Sequence, residues 1–132
     1  MESKVRLSKV NEEGVAVKFN DVYVVNSQSF TECESKVTAS LEGCEHDILT
    51  EAFAKYREIF FSDNEEDMYY RVKVDFITVD DSGKTRHAKS DYLVQAGSVE
   101  DVKKSVDEVL GNGVSEYRII SIQESNVTEY IC

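Results

Sequence analysis

The sequence predicts an α+β fold in which a β-β-α-β unit occurs twice, giving a mainly antiparallel sheet with two helices packed on it. Three observations predict it. First, laying Tyr23 on Tyr92, 69 residues further on, aligns Val5 with Val74, Val10 with Val79, Gly14 with Gly83, Val25 with Val94, Ser29 with Ser98, Val37 with Val106 and Leu41 with Leu110 without a gap. The shared positions are turn glycine, helix cap and apolar face, the places a fold constrains, so an internal duplication is expected. Second, apolar residues alternate with polar ones on either side of glycine-ended turns. Third, a capping pattern opens an apolar stripe of helical spacing in each half.

Taken in order, KVRLSKV, the turn NEEG, and VAVKF running on to VYVV read as a strand pair. Ser29-Phe30-Thr31-Glu32 is a capping box, in which the serine hydroxyl accepts an early helix N–H and the glutamate favours the positive helix end. Phe30, Cys33, Val37 and Leu41 then recur at spacings of three and four, one face of a helix that Gly43 is placed to stop. DILTEAFAKYREIFF follows as one bent strand or two short ones. The charged stretch SDNEED connects to the second half, where Tyr70, Val72, Val74 and Phe76 alternate with Arg71, Lys73 and Asp75. Asp80-Asp81-Ser82-Gly83 is a hairpin turn with a glycine free to take positive φ. TRHAKSDYLV returns, and Ser98 with Asp101 repeats the cap. Val99, Val102, Val106 and Leu110 form the second stripe, ended near Gly111-Asn112-Gly113. EYRIISIQESNVTEYI likewise reads as one bent strand or two short ones, and Tyr117, Ile119, Ile120 and Ile122 predict a strand buried on both faces. The expected organisation is one domain, 1–132, made of pseudo-repeats over about 1–62 and 69–132 joined by an acidic connection at 62–68.

Composition restricts the function classes. A chain of 132 residues with 41% hydrophobic and 31% charged content matches a folded one-core protein rather than a disordered one. Its net charge of −11 repels phosphate backbones and anionic lipid, so nucleic-acid binding requires a local basic patch. No stretch has the length of a membrane span or a signal-peptide core, and the three cysteines are unpatterned, which suits reduced thiols in a cytosolic setting.

Catalytic and metal signatures are weak. Cys44-Glu45-His46 lacks the further ligands a zinc site needs, and Cys33 lies on an apolar stripe as a structural thiol would. In SDNEED, Asp63, Glu65 and Asp67 alternate like the start of a calcium loop, but Met68 stands where the turn glycine belongs. No catalytic, cofactor or metal residues are assigned, and the chain reads as a non-enzyme. Two surfaces remain. Asp63, Glu65, Glu66 and Asp67 form a candidate acidic surface. Tyr69, Tyr70, Arg71, Lys73, Lys84, Arg86 and Lys89, with His87 among them, form a candidate basic and aromatic strip of the kind that binds single strands, provided Arg71 and Lys73 face solvent beside Arg86.

YREIFFSDNEEDMYYRVKVDFITVDDSGK, together with DYLVQA and its following helix, resembles an uncharacterised domain family of Bacteroidota and their phages, and the resemblance spans nearly the whole chain. It implies a small duplicated α+β protein of bacterial or phage origin with an accessory role, and it carries no reaction or site residues. The expected function is therefore a binding or adaptor protein acting on a host or viral protein through an acidic surface, nucleic-acid mimicry included. The alternative is a single-stranded nucleic-acid binder using the basic strip. Apolar sheet edges and Tyr130-Ile131-Cys132 also suit pairing into a homodimer.

Overall fold

The computed structural model describes all residues except Asn11, Asn112, Val114 and Ser115, together with the side chain of Lys9. The expectations for Asn11 in the first turn and Asn112 after the second helix therefore lie outside the described residues. In chain order the elements are β1 (Glu2–Val10), β2 (Ala16–Val25), α1 (Phe30–Ser40), β3 (Glu45–Ala52), β4 (Tyr56–Phe60), β5 (Met68–Val79), β6 (Thr85–Ala96), α2 (Val99–Leu110), β7 (Glu116–Glu124) and β8 (Val127–Ile131). They form two mixed four-stranded sheets, ordered β3-β1-β2-β8 and β4-β6-β5-β7. The fold is α+β with strand predominating.

The chain divides into two compact units, Met1–Ala54 with Asn126–Cys132, and Lys55–Ser125. These units do not coincide with the halves expected at about 1–62 and 69–132. The segment after each helix resolves into two strands rather than one. The first of each pair, β3 or β7, stays with its own half, antiparallel to β1 or β5. The second goes to the other unit, where β8 runs parallel to β2 and β4 runs parallel to β6. Each sheet is thus completed by a five-residue strand supplied from the other half of the chain.

In the first unit, strand alternation turns Val5, Leu7, Tyr23 and Val25 toward α1, which contributes Cys33 and Val37. Leu41, Ile48 and Ile131 close the margin of this core. The Tyr23 hydroxyl donates to Asp21 at 3.0 Å; burial first, then that bond, pushes its pKa well above the ordinary phenol range. In the second unit, Tyr70, Val72, Val74, Tyr92, Val94 and Ala96 pack against Val102 and Val106 of α2. Each fully buried valine contributes about 1.5–3 kcal/mol relative to an exposed one.

Both caps form. Ser29 Oγ accepts from Glu32 N at 3.1 Å while the Glu32 carboxylate reaches back to Gln28 N, which holds its pKa below the usual carboxylate range. Ser98 Oγ accepts from Asp101 N at 3.2 Å. Replacing Ser98 with alanine should cost about 1 kcal/mol, and urea unfolding of the variant measures it. Two stripe positions differ from expectation: Phe30 and Val99 are 50% and 51% exposed, because each is the first helical residue and lies beyond the sheet-facing stripe. The burial expected on both faces of β7 is also corrected. A register shift opposite Lys73/Val74 throws Ile120 outward, and as an edge strand β7 is only partly covered.

The β5–β6 turn shows how local chemistry sets a hairpin. Gly83 has φ of 79°, in the left-handed region that favours glycine. Asp80 accepts from Ser82 N, Ser82 Oγ, Lys84 N and Arg86 Nε. These bonds, the Ser82 hydroxyl foremost, hold the Asp80 carboxyl below its ordinary pKa. Its contribution to turn stability is therefore present above the unfolded carboxyl pKa and lost as pH falls through the lower folded value. An NMR pH titration should show the Lys84 amide shifting in acid, and Asp80→Asn should abolish that inflection.

Candidate functional site

The acidic connection is an organised loop rather than a loose linker. Asn64 is its internal brace: its carbonyl accepts from Ser62 Oγ at 2.9 Å and Asp67 N at 3.1 Å, and its side-chain oxygen accepts from Glu66 N at 3.0 Å. The anchor is Gln95 on β6, 6% exposed. Its Oε1 accepts from Ser62 N, and its Nε2 donates to the carbonyls of Glu65 and Asp67, each at 3.3 Å. A buried amide whose donors and acceptor all serve one loop fixes that loop's backbone, because releasing any of these bonds strands a polar group out of water.

The clamped loop turns Asp63, Glu65 and Glu66 to solvent and leaves Asp67 half-buried. Asp67 Oδ1 and Asp101 Oδ2 converge on Gly97, at 3.5 and 3.6 Å from where a Cβ there would stand. Beside them lies a shallow concavity of about 280 Å³ whose walls include Phe61, Asp63, Asp67, Asp101, Lys104 and Glu108. Phe61 is 55% exposed, so the acidic surface carries an aromatic edge. Gln95→Ala should cost about 1–3 kcal/mol and raise amide exchange of Glu65 to Asp67, which hydrogen-exchange mass spectrometry reads.

The basic strip is divided. Alternation along β5 and β6 puts Arg71, Lys73, His87 and Lys89 on the face away from α2, whereas Arg86, opposite Thr78, lies on the helix side and Lys84 is in the turn. Arg71 pairs with Asp91 at 2.7 Å, and Arg86 with Asp80 at 3.1 Å. Tyr69 and Tyr70 are each 6% exposed, so the aromatic platform expected beside Arg71 is corrected: Tyr70 is a core ring and Tyr69 is buried too. Tyr70 points to the opposite face from Arg71 because adjacent strand residues alternate, whereas Tyr69 shares Arg71's face but is covered.

Two residues that sequence reasoning passed over belong to these surfaces. Arg118 arrives on β7 opposite Asp75, 4.0 Å from its Oδ2. Asp75 is 2% exposed, bonds His87 Nδ1 through Oδ2 at 2.9 Å, and has no hydrogen-bond partner for Oδ1. Gln95 is the other, and its signal was available: one amide inside the apolar run YLVQA. The Cys44–His46 pair carries no thiol contact, since His46 Nδ1 meets the Cys44 carbonyl. Burial, and then Glu51, push the Cys33 thiol up, against thiolate chemistry. Among the described residues, no three His, Cys, Asp or Glu side chains are gathered to hold a metal ion, and no helix is long and apolar enough to cross a membrane.

Comparison with known families matches residues 1–131 to a domain of unknown function, DUF4494. The chain belongs to the DUF4494 family. This agrees with the uncharacterised-family resemblance read from the sequence. No curated protein and no solved structure matches the chain.

Proposed function

We propose that this DUF4494 chain is a non-enzymatic binding module that docks on a basic surface of a partner protein through its acidic loop, in a bacterial or phage accessory role. The observation that carries the proposal is the Gln95 clamp. A loop held by three bonds from one buried side chain presents Asp63, Glu65 and Glu66 in a fixed array, so little ordering cost remains to be met on binding. Carboxylates spaced along such an array can stand in for the phosphates a nucleic-acid-binding partner expects, and the net charge of −11 steers basic partners toward it. The test is cross-linked capture from a bacterial lysate with the wild-type chain and with D63K/E65K/E66K, whose sites are exposed. A partner recovered by the first and lost by the second, with salt-sensitive binding, is the expected result; identical recoveries with both would refute the reading.

A second reading has its own support in the face that gathers Arg71, Lys73, Lys89 and Arg118. There a single-stranded nucleic acid would be held by phosphate contacts, without base stacking. Fluorescence polarisation with a labelled oligothymidine at low salt tests it, and binding that survives Lys73→Glu combined with Arg118→Glu removes it.

A further inference from the structure

Two phenylalanines in the first unit are unusually wet. Phe30, the first residue of α1, is 50% exposed and Phe53, just beyond β3, is 64% exposed. Their ring centroids lie 5.5 Å apart with planes at 56°. This is a favourable tilted aromatic pair that leaves ring faces open to water. The corresponding first helical residue of the second unit is Val99, so the pair is particular to the first.

Carboxylates adjoin the rings. Glu34 follows Phe30 by one helical turn, and with Ile48, Leu49, Thr50 and Glu51 the two line a concavity of about 360 Å³. Glu51 Oε1 has no accessible surface and no hydrogen-bond partner. Ser3, its cross-strand neighbour on β1, is fully buried, and its Oγ is also unpartnered. A buried carboxylate oxygen and a buried hydroxyl that both lack partners are rare and costly, and they leave this margin of the unit with unmet hydrogen-bonding capacity. Lys36, on the same helix as Glu34, has its ammonium engaged by Glu32 and the Asn26 carbonyl.

We infer that this site receives an arginine side chain of a partner polypeptide. A guanidinium is planar, weakly hydrated, stacks on aromatic faces and carries five N–H donors, which matches open rings bordered by the Glu34 and Glu51 carboxylates. The chain uses the same contact internally: in the second unit the Arg57 guanidinium stands 5.0 Å from the Phe76 ring centre. A shallow, surface-open concavity suits the end of a side chain, and the net charge of −11 favours a basic polypeptide. The inference shares with the preceding section the view that the chain binds protein, but concerns a different surface.

The probe is N-acetyl-arginine-N-methylamide, titrated into the full chain and followed by the ring resonances of Phe30 and Phe53; the citrulline and lysine analogues serve as controls. Saturable shifts with arginine, absent with citrulline and weaker with lysine, are expected. Phe53→Ala and Phe53→Leu should each weaken binding about two- to fivefold, with only a small change in urea unfolding because the ring is mostly exposed. Glu51→Gln should weaken it as well. Equal response to citrulline, equal or tighter binding of lysine, or no loss in Phe53→Leu would overturn the inference. Because the probe needs no partner, its failure leaves the acidic-loop reading standing, and charge reversal of that loop leaves this titration unchanged.

Discussion

A chain ended after Ser125 should lose the stability of its N-terminal unit while the sheet built on β5 and β6 stays protected. The missing strand β8 contributes Val127, 6% exposed, and Ile131, packed on the core of Val5, Tyr23 and Val37. Removing one buried and one partly buried side chain forfeits about 2–4 kcal/mol, a large share of the stability of a small unit, about 5–15 kcal/mol. It also unpairs the edge of β2 from Val22 to Val25, four residues that are all buried. Hydrogen exchange read residue by residue should show protection falling in β1 and β2 and holding in β5 and β6. The opposite distribution would mean that β8 belongs with the half that encodes it. No ordinary tandem duplication makes this forecast, because there the last strand would serve its own half.

Tyr92→Ala should be the most damaging single substitution in the second unit. Its ring is 2% exposed, stacks on Phe60 at 5.5 Å and 26°, and meets Phe76 at 6.4 Å. Phe60 comes from β4, so this one ring ties the exchanged strand to the core beneath α2. Emptying it leaves a cavity that neighbours fill only in part, at a cost of about 3–5 kcal/mol. Urea unfolding monitored on second-unit resonances should move strongly to lower denaturant, whereas Tyr92→Phe should stay within about 1.5 kcal/mol of the wild type because volume is conserved. A small shift for the alanine variant would show that Phe60 and Phe76 close over the space.

The two surfaces were legible to different degrees. Asp63, Glu65 and Glu66 stand out in the sequence because three of them fall within four positions next to a strand, and they are exposed as such a run should be. That the run is a braced loop was not legible, since its anchor, Gln95, is thirty residues away from Glu65. The basic strip was legible as composition and misleading as geometry. Arg71 and Arg86 are cationic in any conformation, yet only the pairing of Val72 with Tyr92 and of Thr78 with Arg86 decides that they lie on opposite faces.

By itself the sequence determined what depends on a few neighbouring residues: the serine caps at Ser29 and Ser98, the glycine turns at Gly14 and Gly83, and the inward stripes Cys33–Val37 and Val102–Val106. These follow from backbone sterics and from hydrogen bonds spanning three or four positions. Only the tertiary structure decided that β4 and β8 cross to the other unit, that Arg118 comes beside Asp75, and that Phe30 and Phe53 meet in solvent. Strand propensity read residue by residue does not specify which edge a strand such as β4 or β8 will join. The choice among edges is made by the burial each strand gains in its final sheet, a quantity summed over residues far apart in the chain.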